Sequence, residues 1–138
     1  MLARMNTKHI EKIIPNYLLY SNSYFLVITN FEGEYMYVNE AFQNRFSFIN
    51  ENLIGLSYLL TTIPEDHLIY SNAIHQCFTN PDSIVKINLR KPDTNPEHYS
   101  WISWEFSTFK DENQNPIGIL CLGHDTTEAE KANLQAKK

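Results

Sequence analysis

Glycine, cysteine and basic residues are all scarce in this sequence. Four glycines among 138 residues disfavour the glycine-rich loops that cradle nucleotide phosphates. The two cysteines, Cys77 and Cys121, lie far apart, so we expect neither a disulfide framework nor a structural zinc site. Such cysteine usage is typical of a reducing compartment, and we predict a cytoplasmic location.

Positive charge and long apolar runs are missing too. Eleven lysines and arginines stand against 16 aspartates and glutamates, and Arg45 is the only one of the eleven between Glu32 and Val85. The chain therefore lacks the basic stripe that a nucleic-acid surface needs. No apolar run approaches the roughly 20 residues that span a bilayer, so we predict no direct membrane insertion. The segment through Tyr17 is too polar for a signal peptide.

What the sequence does contain suffices for one hydrophobic core. Hydrophobic residues make up 43% and aromatic residues 13% of the chain, which excludes a disordered or fibrous protein. A chain of this length buries one core rather than two. We therefore predict a single domain with a tail at each end.

The first half of the chain predicts a short helix, a hairpin and further helices. Isoleucines at helical spacing favour an amphipathic helix that Pro15 ends. Aromatic and β-branched runs at 24–29 and 35–38 flank a turn and indicate two antiparallel strands. Asn39 is a good N-cap for a helix, and Asn50 or Asn52 is expected to open another that ends near Gly55.

The second half predicts one longer helix followed by three strands. Pro64 and the acids after it are typical of a helix start, and Asn80-Pro81 ends that helix. Residues 85–90 alternate between apolar and polar, which indicates a half-exposed strand, and the polar segment from Lys91 to His98 is interpreted as a loop. Strands at 99–109 and 117–122 complete an α+β fold: a five-stranded antiparallel sheet with short helices packed on one face.

Several segments in this order resemble a PAS domain, the sensor module common in bacterial signalling proteins such as two-component histidine kinases. They are ITNFEGEYMYVNEAF, INENLIGLS, IPEDH and WISWEFSTFKDENQNPIGILCLGHDTTEAEK. The resemblance runs from about Tyr24 to Glu128. It implies an N-terminal flanking helix at 1–20, a sensor domain at 21–125 and the start of a C-terminal signalling helix at 126–138.

The resemblance also implies a ligand cavity between the helices and the sheet. The residues expected to line it are Tyr58, Ile102, Trp104, Phe106, Ile119, Cys121 and Gly123. Small-molecule sites are mostly apolar pockets with few polar groups. The alternative is that the large aromatic side chains fill the cavity and leave no room for a ligand.

Some relatives of this kind bind flavin and others bind haem, and each cofactor requires particular residues at a few positions. Flavin-binding relatives have a reactive cysteine where this chain has Tyr58 and a glutamine where it has Gly123, so flavin photochemistry is not expected. Haem-binding relatives place an axial histidine on the long helix, where this chain has His67 and His75. His75 is the better candidate because Ile74 and Phe78 beside it suggest burial. Most lone helix histidines nevertheless have no such role.

The two ends of the domain predict dimerisation and signal relay. Trp101 is expected on the sheet face that points away from the cavity. The N-terminal helix would cover that face with Ile10, Ile13 and Ile14, either within one chain or across a homodimer. The resemblance identifies Asp125, Thr126 and Thr127 as the element that launches an output helix.

Recognisable nucleophile, metalloprotease and phosphate-binding motifs are absent. We therefore predict a non-enzymatic sensory module that binds a small ligand or a partner and acts on an output domain, such as that of a histidine kinase. A purely structural homodimerisation module with a filled cavity, and a haem-based gas sensor that uses His75, are the alternatives.

Overall fold

A computed structural model describes residues 7–136, and within them the chain forms an antiparallel sheet of five strands flanked by helices. The elements, in chain order, are α1 (Thr7–Ile13), α2 (Asn16–Leu19), β1 (Phe25–Thr29), β2 (Tyr35–Val38), α3 (Glu40–Phe46), α4 (His67–Thr79), β3 (Ile84–Pro92), β4 (Tyr99–Lys110), β5 (Pro116–Asp125) and α5 (Thr127–Ala136). Two short 3₁₀ turns, Tyr58–Leu60 and Pro64–Asp66, precede α4.

The strands lie in the order β2-β1-β5-β4-β3. Each neighbouring pair is antiparallel, and the last strand pairs with the first, so that Phe25 lies opposite Gly123. The predicted α+β fold with a five-stranded antiparallel sheet is therefore confirmed.

The helix after the first hairpin begins where its sequence predicts. Asn39 is the N-cap, and its side-chain oxygen accepts a hydrogen bond from the Phe42 amide at 3.2 Å. Such a cap satisfies a backbone donor that has no partner inside the helix. Phe42 and Phe46, one turn apart, are both fully buried against the sheet.

The helix expected between Asn50 and Gly55 does not form. The side chains of Asn50 and Asn52 each accept a hydrogen bond from the backbone amide two residues further on, at 3.1 and 3.0 Å. An Asx turn of this kind competes with helical hydrogen bonding. Gly55 then adopts a φ of 88°, a left-handed conformation that suits glycine.

Buried side chains form two separate clusters, one on each face of the sheet. The inner cluster lies between the sheet and helices α3 and α4, and its strand residues include Phe25, Val27, Ile102 and Ile119. The outer cluster lies beneath α1 and α2, and it consists of Ile10, Ile14, Leu19, Leu26, Ile28 and Phe109. Because side chains alternate along a strand, β1 contributes to both clusters and is buried on both faces.

Candidate functional site

All seven residues predicted to line a cavity are buried on the inner face of the sheet or against it. They are Tyr58, Ile102, Trp104, Phe106, Ile119, Cys121 and Gly123. The ring of Trp104 lies over Gly123, where an added Cβ would come within 2.6 Å of it. These residues, grouped by the alternation along their strands and assigned to the inside by the resemblance, are thus buried, and their role as a ligand site stays a prediction.

Aromatic rings occupy much of the inner cluster. The rings of Tyr58 and Tyr70 are stacked with their centroids 4.0 Å apart, and those of Phe42 and Phe46 are 4.7 Å apart. The indole of Trp104 lies 6.1 Å from Phe42. Two clefts open elsewhere, one on the outer face beside Lys86 and Glu105 and one at the base of α5.

The inner cluster also contains a lysine that the sequence interpretation missed. Strand β3 does not end at Arg90 but continues to Pro92, and Lys91 therefore lies within it. Lys91 is fully buried, at 0% exposure. The signal for this was the alternation itself, because Lys91 has the same parity as the inward-facing Leu89.

Two threonines satisfy part of the hydrogen-bonding capacity of Lys91. Its Nζ donates to Thr62 Oγ1 at 2.8 Å and to Thr61 Oγ1 at 3.3 Å. The hydroxyl groups of Thr61 and Tyr35 also form a hydrogen bond with each other. A polar centre, which we define as Tyr35, Thr61, Thr62 and Lys91, thus lies inside an otherwise apolar cluster.

Three aromatic rings surround the same amino group. Lys91 Nζ lies 5.9 Å from the ring centroid of Phe42, 5.4 Å from Tyr70 and 5.6 Å from Trp104. The faces of such rings attract a cation. Desolvation by burial nevertheless dominates and lowers the pKa of Lys91 to about 7.

No carboxylate among residues 7–136 forms an ion pair with Lys91. Asp66 is nearby, but its two oxygens accept three hydrogen bonds from Arg90, at 2.7, 3.1 and 2.7 Å. Burial alone would raise the pKa of Asp66, yet the hydrogen bonds and charge of Arg90 outweigh this effect and lower it. Asp66 is thus already neutralised by another cation.

A second donor in the inner cluster has no protein partner. Trp104 is 3% exposed, and its Nε1 is a buried nitrogen without a hydrogen bond. Buried polar groups are nearly always hydrogen-bonded. The indole N–H and the remaining N–H of Lys91 thus both lack a protein acceptor, and Thr29 Oγ1 is also buried without a hydrogen bond.

Neither cysteine is in an environment that activates a thiol. Cys77 and Cys121 are both buried and free. Burial raises the pKa of both thiols, and for Cys121 the charge of Lys91 offsets only part of that increase. A thiol whose pKa is raised forms little thiolate, so both side chains act mainly as small apolar groups.

The structure places His75 on the solvent side of α4. Its side chain is exposed, as is that of Phe78, whereas Ile74 and Cys77 face the inner cluster. His67 is half-buried, and its Nε2 lies 2.8 Å from the Thr62 carbonyl oxygen. The burial expected at His75 is not found, and this histidine does not fit the role of axial ligand to a haem bound inside the domain.

The predicted relay residues connect the end of β5 to α5. Asp125 Oδ1 accepts a hydrogen bond from the Thr127 amide at 2.8 Å, at the start of α5. The Thr126 amide donates to the Trp101 carbonyl at 2.8 Å, and the Trp101 amide donates to Thr127 Oγ1 at 3.0 Å. These bonds attach the helix start to two neighbouring strands.

Arg45, which the sequence interpretation did not single out, connects the same segment to α3. Its Nη2 donates to Asp125 Oδ2 at 2.8 Å and to Ser100 Oγ at 2.6 Å. Burial would raise the pKa of Asp125, but hydrogen bonds from Thr127 and the pair with Arg45 together lower it. Arg45 directly precedes the buried Phe46, so adjacent residues of α3 contact the inner cluster and the segment predicted to relay a signal.

Two of the three isoleucines predicted to cap the sheet are buried, and the third is exposed. Ile10 and Ile14 are buried in the outer cluster, whereas Ile13 is 49% exposed. α1 thus covers the sheet within one chain, on the side of β1 and Phe109. Trp101 is half-buried at the other end of that face, with the Arg90 guanidinium 5.3 Å from its ring.

A family model described as the PAS fold matches residues 21–131. The chain belongs to the PAS family. PAS domains are generally sensory and signalling modules without catalytic activity of their own. No curated protein matches the chain.

Solved structures share this fold at low sequence identity. A PAS domain of a protein from Colwellia psychrerythraea is 19% identical and has a TM-score of 0.68, with 86% of this chain and 98% of that one covered. The Drosophila melanogaster Cycle PAS-B domain with bound ethylene glycol is 16% identical (TM-score 0.61; 73% and 98% covered). VqmA bound to DPO is 15% identical (TM-score 0.64; 84% and 57% covered).

No helix within residues 7–136 is both long and apolar enough to cross a membrane. Over the same part of the chain, no group of three or more histidine, cysteine, aspartate or glutamate side chains could hold a metal ion.

Proposed function

We propose that this PAS domain senses a small ligand or a partner and passes the resulting change through Asp125, Thr126 and Thr127 to an output domain. The output domain that we favour is that of a sensor histidine kinase. We further propose that the protein is cytoplasmic and forms a homodimer. The observation that carries the proposal is the Arg45–Asp125 contact at 2.8 Å, because it joins the inner cluster to the start of α5.

The path consists of few steps. Phe42 and Phe46 pack against Trp104 and Phe25 inside the domain, and both belong to α3. A ligand that displaces these rings would move α3 and therefore Arg45. The Asp125 carboxylate, held by Arg45 and by the Thr127 amide, would then transmit that movement to α5.

The C-terminal helix is suited to act outside the domain. None of the residues of α5 is buried, and Leu134 is 62% exposed. An isolated helix of 10 residues is marginal in water. Its stability would therefore depend on its attachment at Thr127 and on what it contacts.

The test is an Asp125→Ala substitution in the full-length protein that contains this domain. We expect loss of the response to stimulus with the fold retained, because Asp125 is about one third exposed and contributes little to the core. Asp82→Ala is the matched control, since Asp82 forms only a surface ion pair with Lys110 at 3.9 Å. Normal signalling by the Asp125 variant would contradict the relay.

The second candidate function is a structural dimerisation module. The dense ring packing of the inner cluster, with Tyr58 stacked on Tyr70, favours it. Denaturing mass spectrometry and a visible spectrum of the gently purified chain separate the candidates. A released small molecule supports the sensor, whereas concentration-dependent dimerisation without any ligand supports the structural module. A Soret band would restore the haem alternative despite the exposure of His75.

A further inference from the structure

The polar centre of the inner cluster has an excess of donors and of positive charge. Lys91 carries three N–H donors in its charged form and uses two of them on Thr61 and Thr62. The Trp104 indole adds a buried donor without a partner. Both side chains are more than nine-tenths buried.

Among residues 7–136, the hydroxyl and carboxylate groups nearest to Lys91 already have hydrogen-bond partners. The hydroxyl groups of Tyr35 and Thr61 already bond to each other, and the oxygens of Asp66 are taken by Arg90. A buried ammonium without an anionic partner is energetically costly. The aromatic rings around Lys91 reduce this cost but accept no conventional hydrogen bond.

A carboxylate would complement both the excess of hydrogen-bond donors and the positive charge of the polar centre. It brings one negative charge and two acceptor oxygens, and hydrogen bonds between charged groups are the strongest that side chains form. We propose that Lys91 and Trp104 bind the carboxylate of a small organic acid inside this domain. The proposal rests on the proposed sensory function and names the class of ligand that the interior takes.

Specificity would come from charge rather than from shape alone. A neutral amide has the same size as the corresponding acid but offers one acceptor oxygen and two N–H donors that face a donor-rich centre. The apolar remainder of the acid would contact the rings of Phe42 and Tyr70. Occupancy there would act on α3, the helix that carries Arg45.

Binding is expected to depend on pH through Lys91. The groups that face its amino group from the surrounding elements are Tyr35 on β2, Tyr70 on α4, Cys121 on β5 and Asp66 in the turn before α4. Burial raises the pKa of the two tyrosines and of Cys121, and Arg90 keeps Asp66 ionised, so none of them titrates between pH 6 and 8. The affinity for a carboxylate should therefore fall about tenfold per pH unit above pH 7 as Lys91 loses its proton.

Acetate and acetamide are the probes, because they share size and shape and differ in charge. Titration of the ¹⁵N-labelled chain is followed at the indole N–H of Trp104, with that of Trp101 as an internal reference, and at the Lys91 side chain. We expect saturable shifts at Trp104 and Lys91 with acetate, an increase in the Lys91 pKa, and no such shifts with acetamide.

Variants locate the effect. Lys91→Met should weaken acetate binding at least about tenfold, and Trp104→Phe should weaken it severalfold while keeping an aromatic ring. Lys86→Met is the control, since Lys86 lies on the exposed side of the same strand. Equal shifts with acetamide, undiminished binding by the Lys91 variant, or no saturable shift with acetate would each overturn the proposal. In the last case the donors are satisfied by water only.

The outcome is separable from that of the relay. If acetate does not bind but the Asp125 variant fails to signal, the sensory function stands and only the carboxylate ligand is excluded. If acetate does not bind and the Asp125 variant signals normally, the proposed sensory function fails as well.

Discussion

The two faces of the sheet are both well buried, yet they differ in chemistry. The outer cluster beneath α1 and α2 consists only of apolar side chains, from Ile10 to Phe109. The inner cluster contains a lysine, two threonines and an indole donor without a partner. An apolar core alone would have been sufficient to hold the helices on this sheet, as the outer face demonstrates. Polar groups placed in the inner cluster at an energetic cost are therefore candidates for function.

The largest expected effects come from truncating one buried apolar side chain on each face of the sheet. Phe42→Ala should lower the free energy of unfolding by about 4 kcal/mol, because a fully buried ring leaves a cavity, and Ile10→Ala by about 3 kcal/mol. Only the Phe42 variant should also raise the pKa of Lys91, since water would enter beside it. Denaturant unfolding and NMR titration measure these effects. A raised Lys91 pKa in the Ile10 variant would show that the faces are not independent.

Gly123→Ala tests how tightly the inner face is packed. The new Cβ would meet the Trp104 ring at about 2.6 Å, so the indole must shift. We expect a loss of about 1–3 kcal/mol in the free energy of unfolding. A changed chemical shift at the Trp104 indole N–H, but not at that of Trp101, should accompany it. Wild-type stability would mean that the interior is looser than its ring contacts imply.

Lys91→Met should remove a pH dependence of stability between pH 7 and 8 that arises in the inner cluster. The folded-state pKa of Lys91, about 7, lies below that of an unfolded lysine. Above pH 7 the unfolded chain therefore binds one proton more than the folded one, and stability rises with pH. The slope is at most about 1.4 kcal/mol per pH unit.

The useful range for this measurement is pH 7–8, because the cysteine thiols and tyrosines of the unfolded chain ionise above it. Lys86→Met, on the exposed side of β3, should retain the slope. Equal slopes in both variants would place the proton uptake at another group.

Arg45→Met gives the smallest change in stability and the most local one. Arg45 and Asp125 are each about one third exposed, and such pairs contribute about 1 kcal/mol or less. We expect faster amide hydrogen exchange in the first turn of α5 and unchanged exchange in β1. Unaltered exchange in α5 would mean that the helix start does not depend on α3.

The fold was predictable because periodicity reports burial directly. Alternation along the strands grouped side chains that share a face, and the Asn39 cap located α3. The prediction was wrong where a polar residue type is common in more than one kind of local structure. Asn50 and Asn52 resemble helix caps but form Asx turns, and Lys91 resembles the start of a loop although it continues a strand.

The candidate site was therefore only partly predictable. Parity grouped Ile102 with Trp104 on one face of their strand, and the resemblance to PAS domains, not parity, predicted that this face and Cys121 point inward. Burial of Lys91 could have been inferred from the same parity, but a charged side chain is rarely buried, and that general preference argued against it. Arg45 was not predictable, because its partner Asp125 is 80 residues away in the chain.

The position of β5 in the middle of the sheet has a consequence for biosynthesis. Its neighbours are β1 and β4, so the two halves of the sheet meet only across β5, the last of these five strands to be synthesised. Until β5 is in place, the β1–β2 hairpin and the β3–β4 pair have no direct hydrogen bonds to each other. The strand that completes the domain is also the one that leads into α5. A nascent chain therefore cannot present a correctly anchored α5 before the sheet is complete.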